Sequence, residues 1–520
     1  MSRSGDISAV DNTSGSGARI RSLWSFQGRY RTLHQTWFAF FLSFVVWFNF
    51  APFAKVVGAQ LGLSKAQLTT LALCNIALTV PARVLIGMLL DRLGPRRVYA
   101  GILIFSAIPC TIFAFASSFP LMVFSRLALS VVGAGFLVGI RMVSEWFPPK
   151  ELGTAEGVYG GWGNFGSAAA AALLPTVAGV VGGPQGWRWA IASTGFMAAA
   201  YGLYYLRAVS DTPDGRPYAK SRRAGALEVT NRGAVWGLAG LTVPMTAVLG
   251  LIVWRIRIVE VISDRVMWIL LAAIVALLAL QLRLVFKVNA PALRGAYAAG
   301  DRYQFRSVSI LSLAYFCNFG SELAIVSMLP IFFADTWNLS PAVAGLTASG
   351  FAFMNLVARP AGGLMSDLLG SRRRTLQFLL LGLGVGYCAM AFMGPSWPVL
   401  AAMAVTMLCS LFVQSSEGAV FAIVPLVKKR VSGQISGIVG ASGNVGAIVF
   451  LTALLFVSPQ AFFLIIGAAS LLANLACRWL PEPESGFAGE LVEDAGEASV
   501  LEGAGTAPGA VRELAPQPIG

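Results

Sequence analysis

Apolar runs of about 20 residues, long enough to cross the hydrocarbon core of a bilayer as helices, recur along the chain between polar connections. They predict spans near 35–58, 66–91, 98–117, 120–143, 153–178 and 187–208. A second set lies near 308–334, 340–368, 375–394, 397–425, 433–456 and 460–480. Between the sets, residues 209–306 hold a polar stretch and two further apolar runs, 234–254 and 266–282. The pattern predicts an all-α polytopic membrane protein of two six-helix halves, 35–208 and 307–480, with two more spans in the central insertion. A hairpin on or partly in the membrane is the alternative for the insertion, because its connection carries Arg255, Arg257 and Arg265, offset in part by Glu260 and Asp264. Residues 1–34 are polar and lack the hydrophobic region and cleavage site of a secretory signal. Residues 481–520, rich in Glu, Gly, Ala and Pro, read as a disordered tail.

The halves repeat one another. Arg83, Gly87, Asp91, Gly94, Arg96 and Arg97 superpose on Arg359, Gly363, Asp367, Gly370, Arg372 and Arg373, all at an offset of 276 residues. Further on, Gly160-Gly-Trp-Gly163-Asn164-Phe-Gly166 matches Gly440-Ala-Ser-Gly443-Asn444-Val-Gly446 at an offset of 280. Two correspondences in the same order indicate a parallel duplication of a six-helix unit, which puts a binding site near the bilayer midplane between the halves.

Composition agrees with a membrane protein: only 12% of residues are charged and the mean hydropathy is +0.72, whereas a soluble domain is nearer a quarter charged. The formal charge of +14 does not indicate nucleic acid, because the basic residues alternate between connections. Clusters fall at Arg19, Arg21, Arg29 and Arg31; at Arg92, Arg96 and Arg97; and at Arg216, Lys220, Arg222 and Arg223. Others are Arg372, Arg373 and Arg374, then Lys428, Lys429 and Arg430, and the intervening connections carry almost no charge. That asymmetry places both termini and the basic loops in the cytoplasm of a cell, with the chain in the cytoplasmic (inner) membrane. The cysteines are scattered singly, with neither metal-ligand spacing nor a disulfide framework. The single histidine, His34, precedes the first span. No metal and no cofactor is implied.

Arg83 and Arg359 carry the candidate chemistry. A charge at the centre of a membrane helix costs about 2.5–3.5 kcal/mol on insertion scales, so each arginine has a use or a partner. The aspartates of the repeat, Asp91 and Asp367, lie eight residues on, roughly 12 Å along a helix, too far to pair directly. Two guanidinium groups facing one another across the pseudo-two-fold axis form a site for a small anion, and their planar donors suit a planar oxyanion held bidentately. Gly163-Asn164 and Gly443-Asn444 add small residues on one helix face, which suits close packing, and an amide that can donate to the anion. Glu322 and Glu417 are carboxylates in apolar surroundings, which suits a proton carrier; the other reading makes them structural partners for Arg126, Arg141 or a helix end. Glu145 and Glu156 lie nearer the cytoplasmic ends and are weaker candidates. Asp91, Arg96, Arg97, Asp367, Arg372 and Arg373 read as gating residues that exchange contacts as the halves rock.

The paired arginines, the doubled glycine-asparagine motif and the two Asp-x-x-Gly-x-Arg-Arg loops resemble the nitrate/nitrite porter family of the major facilitator superfamily, over roughly residues 21–480. Gly28-Arg-Tyr-Arg-Thr-Leu-His34 and Asn318-Phe-Gly-Ser-Glu322 add to the likeness. The resemblance implies the major facilitator fold and no enzymatic activity. It also implies nitrate, or nitrite, gripped between Arg83 and Arg359, with Phe136, Tyr315 and Phe319 as the aromatic residues against its faces. The family includes proton symporters and nitrate/nitrite exchangers, so coupling stays open. So do a porter for another small anion and a membrane sensor that binds nitrate without transport, in which the central loop or C-terminal tail contacts a cytoplasmic regulator.

Overall fold

The computed structural model describes residues 23–183, 185–213, 218, 225–295, 302–339, 341–454 and 456–482. The segments 1–22 and 483–520, which include most of the polar N-terminus and the tail read as disordered, lie outside the described residues. Among the described residues the secondary structure is helical throughout, with no strand.

The first half comprises α1 (Gly28–Trp47), α2 (Lys65–Ala77), α3 (Thr79–Leu93), α4 (Pro95–Phe115), α5 (Phe119–Leu129), α6 (Gly135–Trp146), α7 (Pro149–Asn164), α8 (Gly166–Val181) and α9 (Gly186–Ala208). The central insertion supplies α10 (Arg232–Ile258) and α11 (Asp264–Val288). The second half has α12 (Phe305–Trp337), α13 (Pro341–Phe353), α14 (Asn355–Leu368), α15 (Arg372–Met390), α16 (Val399–Ile423), α17 (Ser432–Ala453) and α18 (Pro459–Ala476).

Among the described residues, ten helical stretches are long and apolar enough to cross a membrane, or eleven when the bent pair Pro149–Ala170 and Leu173–Val181 counts as one span. The sequence reading predicts fourteen spans. The shortfall falls on 186–208, diluted by Trp and Tyr; on 341–368, interrupted after Phe353; and on 372–390, which opens with three arginines. Both insertion helices meet the measure, and α11 stands at the periphery with 6% of its window buried. In their connection, the Arg257 guanidinium donates to Asp264 at 2.6 and 3.0 Å.

Local chemistry explains the breaks that position the site. Ser64 and Gln67 form a reciprocal capping box at the start of α2, satisfying two otherwise orphaned N–H groups. Between α2 and α3 the Leu78 N–H donates to Ser130 Oγ at 3.1 Å and the Thr79 hydroxyl to the Ser130 carbonyl at 2.6 Å. That junction is thereby tied to the loop after α5, and Arg83 starts the next turn of α3.

The halves interlock by exchange: the arginine helix of each half packs against the glycine-rich helix of the other. A Cβ on Gly437 of α17 would lie 2.7 Å from the Arg83 carbonyl oxygen, and one on Gly157 of α7 would lie 2.7 Å from that of Arg359. One turn on, a Cβ on Gly440 would meet Arg83 Nη1 at 3.1 Å, and one on Gly160 would meet Arg359 Nη1 at 3.2 Å. At Gly157 and Gly437 the obstacle is the backbone of the facing helix, so close approach itself calls for glycine there, whereas at Gly160 and Gly440 it is the arginine side chain.

Candidate functional site

Arg83 on α3 and Arg359 on α14 are 1% and 2% exposed, and the structure brings both to the same aromatic ring, Phe136. The Phe136 centroid lies 5.7 Å from the Arg83 guanidinium carbon and 5.9 Å from that of Arg359. Phe319 covers Arg83 at 5.1 Å. Phe136, Tyr315 and Phe319 stack as near-parallel planes: Phe136 and Tyr315 at 6.4 Å, Tyr315 and Phe319 at 5.1 Å, both inclined by 8°. Tyr315 and Phe319 share a helix face of α12 because they are four residues apart. Cations over aromatic faces gain about 0.5–2 kcal/mol each, so the rings offset part of the cost of burying the guanidinium groups.

The arginines differ in their ionic partners. Arg83 Nη1 donates to the Gly440 carbonyl at 2.5 Å and Nε to the Gly133 carbonyl at 3.4 Å; among the described residues no carboxylate pairs with it. Arg359 is paired twice, with Glu322 at 3.3 Å and with Glu417. Glu322 also accepts from the Asn355 amide at 2.6 Å. With its amide oriented to satisfy both groups, the Asn164 oxygen accepts from Arg359 Nη2 and Nη1 at 2.9 and 3.0 Å. Asn444, its counterpart, is fully buried with neither amide atom hydrogen-bonded.

This arrangement corrects part of the sequence reading. The carboxylates Glu322 and Glu417 serve neither Arg126 nor Arg141. They reach Arg359 from α12 and α16, helices adjacent in space but not in sequence. Arg141 pairs instead with Glu145 at 2.8 Å, and Arg126 donates to Asn49 and to the Trp47 carbonyl. Gly163 and Gly443, expected to face the substrate, lie under aromatic rings. A Cβ on Gly443 would be 2.7 Å from Tyr315 and 2.8 Å from Phe319, and one on Gly163 would collide with Phe40. At both positions the space a side chain would need is taken by an aromatic ring, so the glycines let the rings pack closely. Sequence reasoning also missed Phe421, which stands edge-on to Phe136 at 4.6 Å and to Tyr315 at 4.9 Å. It missed Tyr159 too, whose hydroxyl donates to the Phe136 carbonyl at 2.9 Å. Neither position carries a charge or belongs to the repeated motifs, so only the folded contacts identify them.

At the end bearing the basic loops, the two aspartates of the repeat bind the opposite half. Asp91 accepts from the Gln434 N–H at 3.1 Å, at the N-terminus of α17, where N–H groups lack intrahelical partners. Asp367 accepts from the Thr154 N–H at 2.7 Å, the Thr154 hydroxyl at 2.9 Å and the Gly153 N–H at 3.1 Å. Arg372 pairs with Asp367 at 2.8 Å and donates to the Pro149 carbonyl across the interface at 2.7 Å. Arg141 adds a further cross-half link to the Lys429 carbonyl and the Ser432 hydroxyl. Arg96 and Arg373 contribute backbone N–H groups instead, to Asp211 at 2.7 Å and to Glu482 at 3.2 Å. Arg97 is exposed.

The Major Facilitator Superfamily model matches residues 36–286 and 311–518. The nitrate/nitrite transporter NrtP of Picosynechococcus sp. is 48% identical over 513 residues, covering 90% of this chain and 96% of that protein. NrtP of Nostoc punctiforme is 45% identical over 495 residues, covering 93% and 99%. High-affinity nitrate transporter 2.3 of Oryza sativa is 28% identical over 428 residues, covering 80% and 70%. Among solved structures, the human organic anion transporter MFSD10 superposes with a TM-score of 0.59 at 15% identity, over 87% of this chain and all of that one. The proton:xylose symporter XylE does so with 0.57 at 14%, over 88% and 98%; both show the fold alone. With a matching family model, close full-length relatives and its own duplicated arginine motif, the chain belongs to the nitrate/nitrite porter family of the Major Facilitator Superfamily.

Proposed function

We propose that this protein carries nitrate, and nitrite, across the cytoplasmic membrane by alternating access, with the basic loops facing the cytoplasm. The observation that carries the reading is the pair of buried guanidinium groups that meet at Phe136. Close relatives named as nitrate/nitrite transporters support the choice of anion. A planar anion of single charge takes parallel N–H donors from Arg83 and Arg359 and rests against the aromatic stack, with the Asn444 amide as a further donor. Its charge cancels the repulsion between the guanidinium groups, so the halves close around it. The contacts of Asp91, Asp367 and Arg372 form the cytoplasmic gate, shut in this conformer, and rocking of 35–208 against 307–480 breaks them.

Glu322 and Glu417 couple the cycle to protons. While ionised they compete with the anion for Arg359; a proton on either one frees N–H donors for substrate. The test is uptake of labelled nitrate into proteoliposomes, with an imposed pH gradient and with or without internal nitrite. Uptake driven by the gradient alone supports symport. Uptake only against internal nitrite overturns the proton role and leaves exchange. Binding without flux identifies a sensor and overturns transport.

A further inference from the structure

Glu156 has a place in the structure that the substrate site does not use. It lies on α7, one turn after Gly153 and two turns before Asn164, hence about 12 Å along the helix from the residue that holds Arg359. It is 2% exposed and neither carboxyl oxygen has a hydrogen-bond partner. The titratable groups that act on it are Asp367 and Arg372 of the gate and the Tyr159 phenol. Arg372 is already engaged by Asp367 and by the Pro149 and Ala422 carbonyls. An ionised carboxylate sealed off without hydrogen bonds costs several kcal/mol, and such a group neutralises instead.

We propose that Glu156 is a proton site of the cytoplasmic gate: closing the gate binds one proton there from the cytoplasm, and opening it releases that proton. On closure, the free carboxylate takes a proton from cytoplasmic water before Asp367 and Arg372 seal the helix. On opening, water reaches the carboxyl group, the O–H bond breaks, and the proton leaves to the same side. The exchange occurs on one face of the membrane, so it moves no net charge across and drives no uptake. It makes the gate a sensor of cytoplasmic pH. By linkage, one proton bound only in the closed state favours closure about tenfold per unit fall in pH, over the range in which the hydrated group is ionised and the sealed one is not. The inference rests on the reading of this end as the cytoplasmic gate, and it stands whichever anion is carried.

The experiment measures the gate directly. Spin labels at Lys150→Cys and Arg374→Cys, both exposed positions flanking the gate, report the closed and open fractions of the full-length protein in vesicles by distance distribution. The expected result is a closed fraction that rises as internal pH falls, and a flat response in the same labelled protein carrying Glu156→Gln. A pH response retained in Glu156→Gln, or none in the parent, overturns the proposal. Should Glu156→Gln fail to fold, infrared difference spectra of the parent and of Glu156→Asp decide: a protonated-carboxyl band that grows on closure and shifts in Glu156→Asp supports it, and no such band, or one unmoved by that exchange, overturns it. Nitrate uptake in the same vesicles tests transport separately, so failure of one reading is distinguishable from failure of the other.

Discussion

Replacing Gly157 or Gly437 with alanine probes the interlocked halves at the level of single atoms. The added Cβ at Gly157 would lie 2.7 Å from both the Arg359 carbonyl oxygen and the Pro360 Cα; at Gly437 it would lie 2.7 Å from the Arg83 carbonyl oxygen. Each is about 0.8 Å inside the ~3.5 Å at which non-bonded heavy atoms attract. These obstacles are backbone atoms, so no rotamer relieves them and α7 or α17 must move bodily away from the arginine helix. Overpacking of this kind costs about 1–3 kcal/mol, which is roughly 5- to 150-fold in any equilibrium that requires the contact. The expected outcome is nitrate affinity weakened by a factor in that range, with a cytoplasmic gate that opens more readily. Helix propensity alone favours alanine by about 1 kcal/mol, so the sign itself tests the reasoning. Gly101→Ala is the control, because a Cβ there meets nothing within 4 Å, and it should leave affinity intact and raise thermal stability slightly. Titration calorimetry and thermal melts in detergent would measure all three. Unchanged affinity and gating in Gly157→Ala would refute the argument.

Arg83→Lys and Arg359→Lys keep the charge but lose the planar fork; each should weaken nitrate binding about 10- to 150-fold, the worth of a charge-assisted hydrogen bond of about 1.5–3 kcal/mol, and near-normal uptake in either would exclude bidentate binding. Asn164→Ala removes an acceptor from Arg359 and Asn444→Ala removes a free donor, so the first should alter the pH dependence of uptake and the second should mainly raise KM. Equal effects in labelled-nitrate assays would count against that division. Asp367→Asn loses the ion pair with Arg372 and weakens the bonds to Gly153 and Thr154; the expected result is a larger open fraction at the cytoplasmic gate, read by the same spin labels.

The fold was legible because membrane spans leave long apolar runs and because the duplication repeats rare residues at fixed offsets. Arg83 and Arg359 stood out for the same reason, since a guanidinium in an apolar helix is expensive and conspicuous. The partners of Arg359 were not legible as partners. Glu322 and Glu417 are visible as carboxylates, but helix spacing relates only residues of one helix, and these come from two others. The packing role of the glycines was hidden in a related way. Gly163 and Gly443 share a motif with Asn164 and Asn444, yet successive residues of a helix point about 100° apart, so the amide and its neighbouring glycine serve different surfaces. Phe421 and Tyr159 had no signal beyond being aromatic.

The unequal ionic partners of the two arginines have a consequence for how such a site can exist at all. Two identical six-helix subunits related by a two-fold axis would give both guanidinium groups the same environment, either both neutralised by carboxylates or neither. A single chain is free of that constraint. By carrying both halves it places Glu322 and Glu417 on one arginine only, so the proposed proton coupling falls on one pole of the site, while the other has no carboxylate partner among the described residues. The duplication repeats the arginine, and its local breaking gives the two poles different ionic surroundings.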